Sequence, residues 1–396
     1  MIARNVLNPK LKKRTPIPPE RSPASRSIAS MPERKQRLTS SGARLQIEGL
    51  TIIYDGEIAA VGGINLDVEP GEFVTLLGPS GSGKTSVLMA IAGFVEVTAG
   101  RILVDNDDLL VREPNQRNLG LVFQDYALFP HMSVAQNIGF PLKMRQWRSA
   151  DIDAAVDEAL RMVRLTGYGH RRPTQLSGGE QQRVALARAT VFNPPVLLMD
   201  EPLGALDKQL RVQLQDELKA IQRRTGISTL YVTHDQSEAM TLSDRIALMR
   251  DGQIEQLGTP RELYEQPVNR FVAEFIGESN VFSGKISLTG NGRVLETESG
   301  WRLPVVDDHQ YSGDERVQAM IRPERIVFED PSADVVMRAE IIDQSYAGEM
   351  ISVRVKLPEG DQLLVKRQNR GDVSGCQQGQ YVTVGWSYQD MTVLRG

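Results

Sequence analysis

One loop restricts this chain more than any other feature: Gly78-Pro79-Ser80-Gly81-Ser82-Gly83-Lys84-Thr85 fits G-x-x-x-x-G-K-[ST] and directly follows the apolar run Phe73-Val74-Thr75-Leu76-Leu77. An apolar run of that length suits a buried strand of a mostly parallel sheet. Glycines let successive backbone N–H groups turn inward around phosphate oxygens, and a helix beginning near Lys84 aims its positive dipole end at the same anion. Lys84 supplies a point charge for β and γ phosphates, Thr85 a hydroxyl for Mg²⁺, and Ser86 can reach the α phosphate. The plain alternative is a tight turn with no ligand.

Asp200 and Glu201 follow a second apolar run, Val196-Leu197-Leu198-Met199. They should emerge at the carboxyl edge of the sheet, where phosphate-binding loops lie in open α/β folds. Side chains alternate faces along a strand, so the two carboxylates should have separate tasks. Asp200 is the candidate for holding Mg²⁺, a hard cation that prefers oxygen. Glu201 is then free to polarise an attacking water. Away from a phosphate loop the same pair would read as a solvated strand end.

The alternation of strand and helix starts with Leu45–Leu50 and Ile64–Val68 and resumes at Ser228-Thr229-Leu230-Tyr231-Val232. Between these lies a helical insertion, with apolar residues at helical spacing over 151–165 and a second helix over 180–192 after a glycine pair. From about residue 279 short alternating segments such as Ile351–Val355 and Gln362–Val365, punctuated by Gly and Pro, predict a separate small β domain. At 396 residues the chain has room for both folds. No stretch approaches the roughly 18 apolar residues of a membrane span, so membrane contact is expected through partners. A single cysteine, Cys376, fits a reducing compartment and an inert thiol.

Residues 1–44 stand apart, with eleven Lys and Arg against Glu20 and Glu33, rich in Pro and Ser and without periodicity. They read as a disordered basic tail with no secretory h-region. Such a tail can touch anionic lipid or nucleic acid; a solvated extension, an upstream start with Met31 as the true first residue, and an organelle transit peptide are the other readings.

Leu176-Ser177-Gly178-Gly179-Glu180-Gln181-Gln182-Arg183 resembles the signature sequence of ABC ATPases. Physically it is a second Ser/Gly turn at a helix N-terminus, hence a second anion site, although alone a generic helix cap would explain it. The family pattern continues in order. Gln124 in Val122-Phe123-Gln124-Asp125 looks like the Q-loop, Ala205-Leu206-Asp207 like the D-loop, and His234 in Val232-Thr233-His234-Asp235 like the switch histidine. Tyr54, thirty residues before Lys84, stands where the family places an aromatic against adenine; a core tyrosine is the alternative.

The resemblance spans residues 46–260 and implies an α/β P-loop NTPase, an ABC cassette with a helical subdomain. It implies ATP held by Tyr54, Gly78, Pro79, Ser80, Gly81, Ser82, Gly83, Lys84, Thr85 and Ser86 of one chain and by Ser177, Gly178, Gly179 and Gln181 of a second copy. Mg²⁺ would fall to Thr85, Gln124 and Asp200, and catalysis to Glu201, His234 and Gln124. Two copies closing head to tail give an isologous interface that ATP glues and hydrolysis releases.

The stretch Tyr126–Val134 and the tail from Phe275-Ile276-Gly277 resemble the importer subgroup serving maltose, glycerol phosphate, iron, sulfate and polyamine, whose subunits carry a C-terminal OB-like domain. Residues 279–396, with Ile321-Arg322-Pro323-Glu324, fit that domain. Glu274–Glu278 followed by Asn280-Val281-Phe282 looks most like polyamine-type subunits. The expected architecture is thus a basic tail over 1–44, a cassette over 45–278 and a β-rich OB-like domain over 279–396. The expected partners are integral-membrane permease subunits, a second copy, and indirectly an extracytoplasmic solute-binding protein, at the cytoplasmic face of the inner membrane. The rival is an ABC ATPase acting on nucleic acid or ribosomes. Lys84 and Ser177 are only 93 residues apart, too close for a long coiled-coil insertion, and one cassette stands where the ribosome-acting type has two. No nucleic-acid partner is therefore expected.

Overall fold

The computed structural model describes residues 42–54, 58–204, 206–289, 292–306, 316–369 and 377–394. Residues 1–41 of the expected tail, Ala205 and Cys376 lie outside them; the last three tail residues, 42–44, belong to the cassette instead, with Ala43 buried in its core and Gly42 N–H donating to Gly226 O at 2.8 Å.

Phe73–Leu77, Val196–Asp200 and Ser228–Thr233 are buried at every position, as strands covered on both faces must be. They form the centre of a six-stranded sheet in the order Gln253–Gly258, Arg245–Arg250, Phe73–Leu77, Ser228–Thr233, Val196–Asp200, Gly120–Val122. All neighbours run parallel except the edge strand Gln253–Gly258. The period of two sends alternate side chains to different layers. Val74, Leu76, Leu198, Leu230 and Val232 join one core with Val87, Leu88 and Ile91 of the helix Lys84–Ala92; Phe73, Leu197, Met199 and Tyr231 join another. Fully burying Leu88 or Ile91 is worth roughly 1.5–3 kcal/mol each, which anchors the helix whose first residue is Lys84. Gly93 ends it in the left-handed conformation, φ 89°. An antiparallel sheet of Ile58–Val68, Leu45–Tyr54, Ala99–Val104 and Asp107–Asp108 covers the first core.

The second core is closed by the helices Val134–Met144, Ser149–Met162 and Gly178–Thr190 together with Lys208–Thr225, which adds Leu214, Leu218 and Ile221. The first starts at a capping box, Ser133 with Gln136. The helix expected over 151–165 covers Ser149–Met162 instead. Arg164 turns to φ 58° and Leu165 N–H donates to Leu160 O at 2.8 Å, a left-handed stop that apolar spacing through Val163 and Leu165 conceals.

Beyond Ile276 the chain forms two five-stranded antiparallel sheets around one core that includes Phe282, Leu295, Ile341, Val353, Val384 and Trp386. Val335, Met337, Ala339 and Ile341 face inward while their neighbours face out, the alternation of a half-buried strand. Arg322 binds this β region to the cassette. It is 4% exposed and donates to Tyr264 O (2.7 and 3.1 Å), Ala273 O (2.8 Å), Glu278 O (3.2 Å) and Ser279 Oγ (2.7 Å). Its guanidinium also lies 4.1 Å from the Tyr264 ring centroid, and Tyr264 OH donates to Glu324. A cleft of about 910 Å³ opens beside this joint and shares no residue with the site described next.

Candidate functional site

The phosphate loop leaves the sheet at Leu77 and enters the helix at Lys84. Gly83 caps that helix at φ 95°, and a Cβ there would stand 2.5 Å from Ala60 O, so only glycine fits. Lys84, 5% exposed, donates from Nζ to Gly78 O (2.9 Å), Pro79 O (2.8 Å) and Ser82 Oγ (3.3 Å). The loop thus curls around its own ammonium group, with Pro79, Ser80 and Gly81 exposed at the rim. Burial lowers the Lys84 pKa from the usual lysine value, against the opposing charges of Glu201 and Asp200. An anion on the loop would counter that desolvation. Tyr54, 42% exposed, donates its hydroxyl to Ser86 Oγ at 3.1 Å, so its ring stands beside the loop helix and outside the core.

The carboxyl edge of the sheet brings the acidic pair to the same place. Thr85 Oγ1 donates to Asp200 Oδ1 at 3.2 Å. Asp200 is buried, and burial raises its pKa above the usual carboxylate range while the Thr85 hydrogen bond opposes the rise. Glu201 N–H donates to Val232 O at 2.9 Å, carrying strand pairing one residue past Asp200. Its own backbone then turns to φ 40°, a left-handed conformation that is uncommon outside glycine and is found at functional positions. That turn places the Glu201 carboxylate between two partners. Oε1 lies 2.9 Å from His234 Nδ1, and Oε2 accepts from Gln124 Nε2 at 3.3 Å. Three strand ends, at residues 122, 200 and 233, therefore converge on one carboxylate.

Gln124 is followed by two left-handed residues, Tyr126 (φ 62°) and Ala127 (φ 43°). Arg188 holds that turn, donating to Tyr126 O and Ala127 O at 2.7 Å each. Sequence reasoning missed Arg188, which in the helical pattern looks like any surface charge. A non-glycine turn with φ above zero carries no sequence mark that would have exposed it.

The remaining predicted residues form a second group. Ser177 caps the helix Gly178–Thr190 in a reciprocal box, donating its N–H to Glu180 Oε2 at 2.7 Å. Gly178 lies against Leu206, just before the helix Lys208–Thr225, and Gly179 against Leu210 in its first turn, where a Cβ would meet Leu210 Cδ2 at 2.9 Å. Gln181 donates its amide to Pro173 O and Leu176 O at 3.2 Å each. No hydrogen bond or ion pair among the described residues joins this group to Lys84. Within one chain the two predicted anion turns are separate.

Fold and loop together define a P-loop nucleotide hydrolase. Residues 61–204 match the family described as ABC transporter, and residues 319–394 the TOBE domain. The spermidine/putrescine import ATP-binding protein PotA of Rubrobacter xylanophilus is 42% identical over 369 residues, 92% of this chain and 97% of that protein. The PotA protein of Methylococcus capsulatus is 43% identical over 93% of this chain and 96% of its own. A dimeric ATP-binding cassette solved in a post-hydrolysis state with ADP and Pi superposes with a TM-score of 0.50 at 33% identity, covering 55% of this chain and 99% of that one. CbiO1 of Clostridium perfringens, part of the ABC transporter complex cbiONQ, gives 0.53 at 30% identity over 56% of this chain and 90% of its own. The chain belongs to the ABC transporter family, as an ATP-binding and ATP-hydrolysing cassette subunit with a C-terminal OB-like β domain. The expected cassette and OB-like folds are both present, and the nucleic-acid alternative finds no support. Among the described residues no helix is long and apolar enough to cross a membrane.

Proposed function

We propose that the chain hydrolyses Mg·ATP to drive import of a polyamine through partner permease subunits, acting as a head-to-tail pair on the cytoplasmic face of the inner membrane. An extracytoplasmic binding protein would deliver the solute to those permeases. The observation that carries the chemistry is the convergence of Gln124 and His234 on Glu201 beside the Thr85–Asp200 pair. The polyamine rests on relatives matched along nearly their whole length.

Thr85 Oγ1 and Asp200 Oδ1 fit a magnesium ion, since both are hard oxygen donors beside the phosphate loop and the buried Asp200 carboxylate makes no ion pair among the described residues. Bound there, the ion would neutralise charge on the β and γ phosphates. The rest of the work falls to the chain. The loop amides and Lys84 bind the phosphates, and the Tyr54 ring offers a base-tolerant stacking face for adenine. Glu201 orients the attacking water and takes its proton; His234 fixes the far side of that carboxylate and Gln124 the near side. Gly178 and Gly179, at the start of the helix that Ser177 caps, offer their N–H groups to the γ-phosphate held by a second copy.

Uptake of labelled spermidine by cells whose only copy carries Glu201→Gln should fall to background while an unrelated importer is unaffected. Undiminished uptake overturns the polyamine reading.

A further inference from the structure

Asp207 caps the helix Lys208–Thr225, its carboxylate accepting from Leu210 N–H at 3.0 Å. One turn in, Arg211 spans two separate segments. Its Nη2 donates to Leu206 O at 3.1 Å and its Nη1 to Asp235 Oδ2 at 2.8 Å, while its buried Nε faces Glu238 Oε1 at 3.7 Å without a hydrogen bond. Asp235 directly follows His234. Its other oxygen caps the helix Gln236–Leu242, accepting from Ser237 N–H (2.8 Å) and Glu238 N–H (3.2 Å). Glu238, 2% exposed, accepts from Tyr231 OH at 2.7 Å and Thr233 Oγ1 at 2.8 Å.

An exposed ion pair of this composition would contribute little, and nothing more would follow. Two facts set Arg211 apart. It faces a buried carboxylate, which is costly to leave without a cation. It also joins the turn at Leu206–Asp207 to the turn carrying His234, whose Nδ1 lies 2.9 Å from Glu201. Without Arg211, Asp235 and Glu238 repel each other with no cation between them. Asp235, at 26% side-chain exposure, is the one nearer water and would shift first, straining its cap bonds, and it is bonded through the backbone to His234.

We infer that Arg211 is a positioning residue for hydrolysis, fixing His234 against Glu201 through Asp235 and tying that geometry to the Leu206–Asp207 turn. This rests on the roles proposed above for Glu201 and His234. Arg211→Met in the full chain should lower kcat about tenfold, roughly 1.4 kcal/mol in the barrier, with KM for ATP within about twofold. Arg211→Lys, able to reach one acceptor but not both segments, should fall between. The chain has four histidines, so the His234 ring resonance can be assigned in histidine-labelled protein by its loss in His234→Ala. Arg211→Met should shift that resonance and leave the other three in place. If Arg211→Met melts too low to measure, Asp235→Asn, which keeps the helix cap but loses the charge, should give the same shift. An unmoved His234 resonance, or an unchanged kcat, overturns the inference. Should His234→Ala itself hydrolyse ATP like the parent, the site reading fails; loss there with none in Arg211→Met sinks this inference alone.

Discussion

Replacing Glu201 by Gln isolates the proposed base from everything that binds nucleotide. The substitution is isosteric, and both neighbours can still be satisfied: the amide oxygen can accept from Gln124 Nε2, and the amide nitrogen can donate to Nδ1 of a neutral His234. Lys84, Thr85 and Asp200 keep their contacts. Removing a negative charge from beside the phosphate site can only ease anion binding, so ATP affinity should be equal to or tighter than the parent's. The hydrolytic step loses its proton acceptor, an effect of about 10²–10⁴ in rate, or roughly 2.7–5.4 kcal/mol. Phosphate release at saturating Mg·ATP should therefore fall to about a hundredth or less. Equilibrium binding should be preserved, and size-exclusion chromatography should show an ATP-dependent dimer accumulating. A kcat within about fivefold of the parent would refute Glu201 as the base, whatever the binding data show. Glu201→Gly serves as the control for strain. Relief of the left-handed conformation at φ 40° recovers about 1–2 kcal/mol, partly offset by the entropy of glycine. That variant should melt no lower than the parent while still failing to hydrolyse.

Lys84→Ala and Ser177→Arg should each prevent an ATP-closed dimer alone, whereas a co-purified mixed pair should regain one protected nucleotide, because one of its two interfaces joins an intact Lys84 to an intact Ser177; no gain in occupancy with heterodimer confirmed would contradict head-to-tail pairing. Arg322→Met should cost about 2–4 kcal/mol by removing the guanidinium donor from Tyr264 O and Glu278 O and leaving Ala273 O only the Ser279 hydroxyl, seen as a melting temperature lower by several degrees in calorimetry; a change under about one degree would mean the joint is hydrated or replaceable.

The phosphate loop and the acidic strand end were legible in the sequence because each is a local signal, a fixed spacing next to an all-apolar run. Their roles as a site depended on family resemblance for Gln124, Ser177 and His234, since nothing local says that residues 124, 201 and 234 meet. What stayed hidden is long-range or conformational. The left-handed backbone at Glu201 leaves no compositional trace, because a glutamate there has the same neighbours as a glutamate at any strand end. Arg188, Arg211 and Arg322 are among many arginines, and periodicity reports which positions are apolar, not which cation reaches a carbonyl sixty residues away. Gln181 shows the converse. The motif places it in the signature turn, but the amide finds two local carbonyls and folds back onto them.

Among the described residues the β domain contributes none to the site, yet a chain of packed contacts beside the cleft links the two. Arg322 grips carbonyls of the helices Pro260–Glu265 and Arg270–Phe275. Those helices supply Leu263 and Val272 to a small core that also holds Leu77, Ala239, Ile246, Leu248 and Ile276, all but fully buried. Leu77 is the last residue before the phosphate loop, and Ala239 lies in the helix that Asp235 caps just after His234. Close-packed interiors take up little strain, so a shift of the Arg322 joint large enough to move these helices must be absorbed by repacking at Leu77 and Ala239 or by opening the joint itself. The strength of Arg322's five hydrogen bonds decides between those two responses. A joint held by one exposed ion pair would yield first and leave the nucleotide site untouched. A buried guanidinium bonded to Tyr264 O, Ala273 O and Glu278 O is costlier to open, which directs such a shift toward the cassette core, whose apolar contacts end at the phosphate loop on one side and the His234 turn on the other.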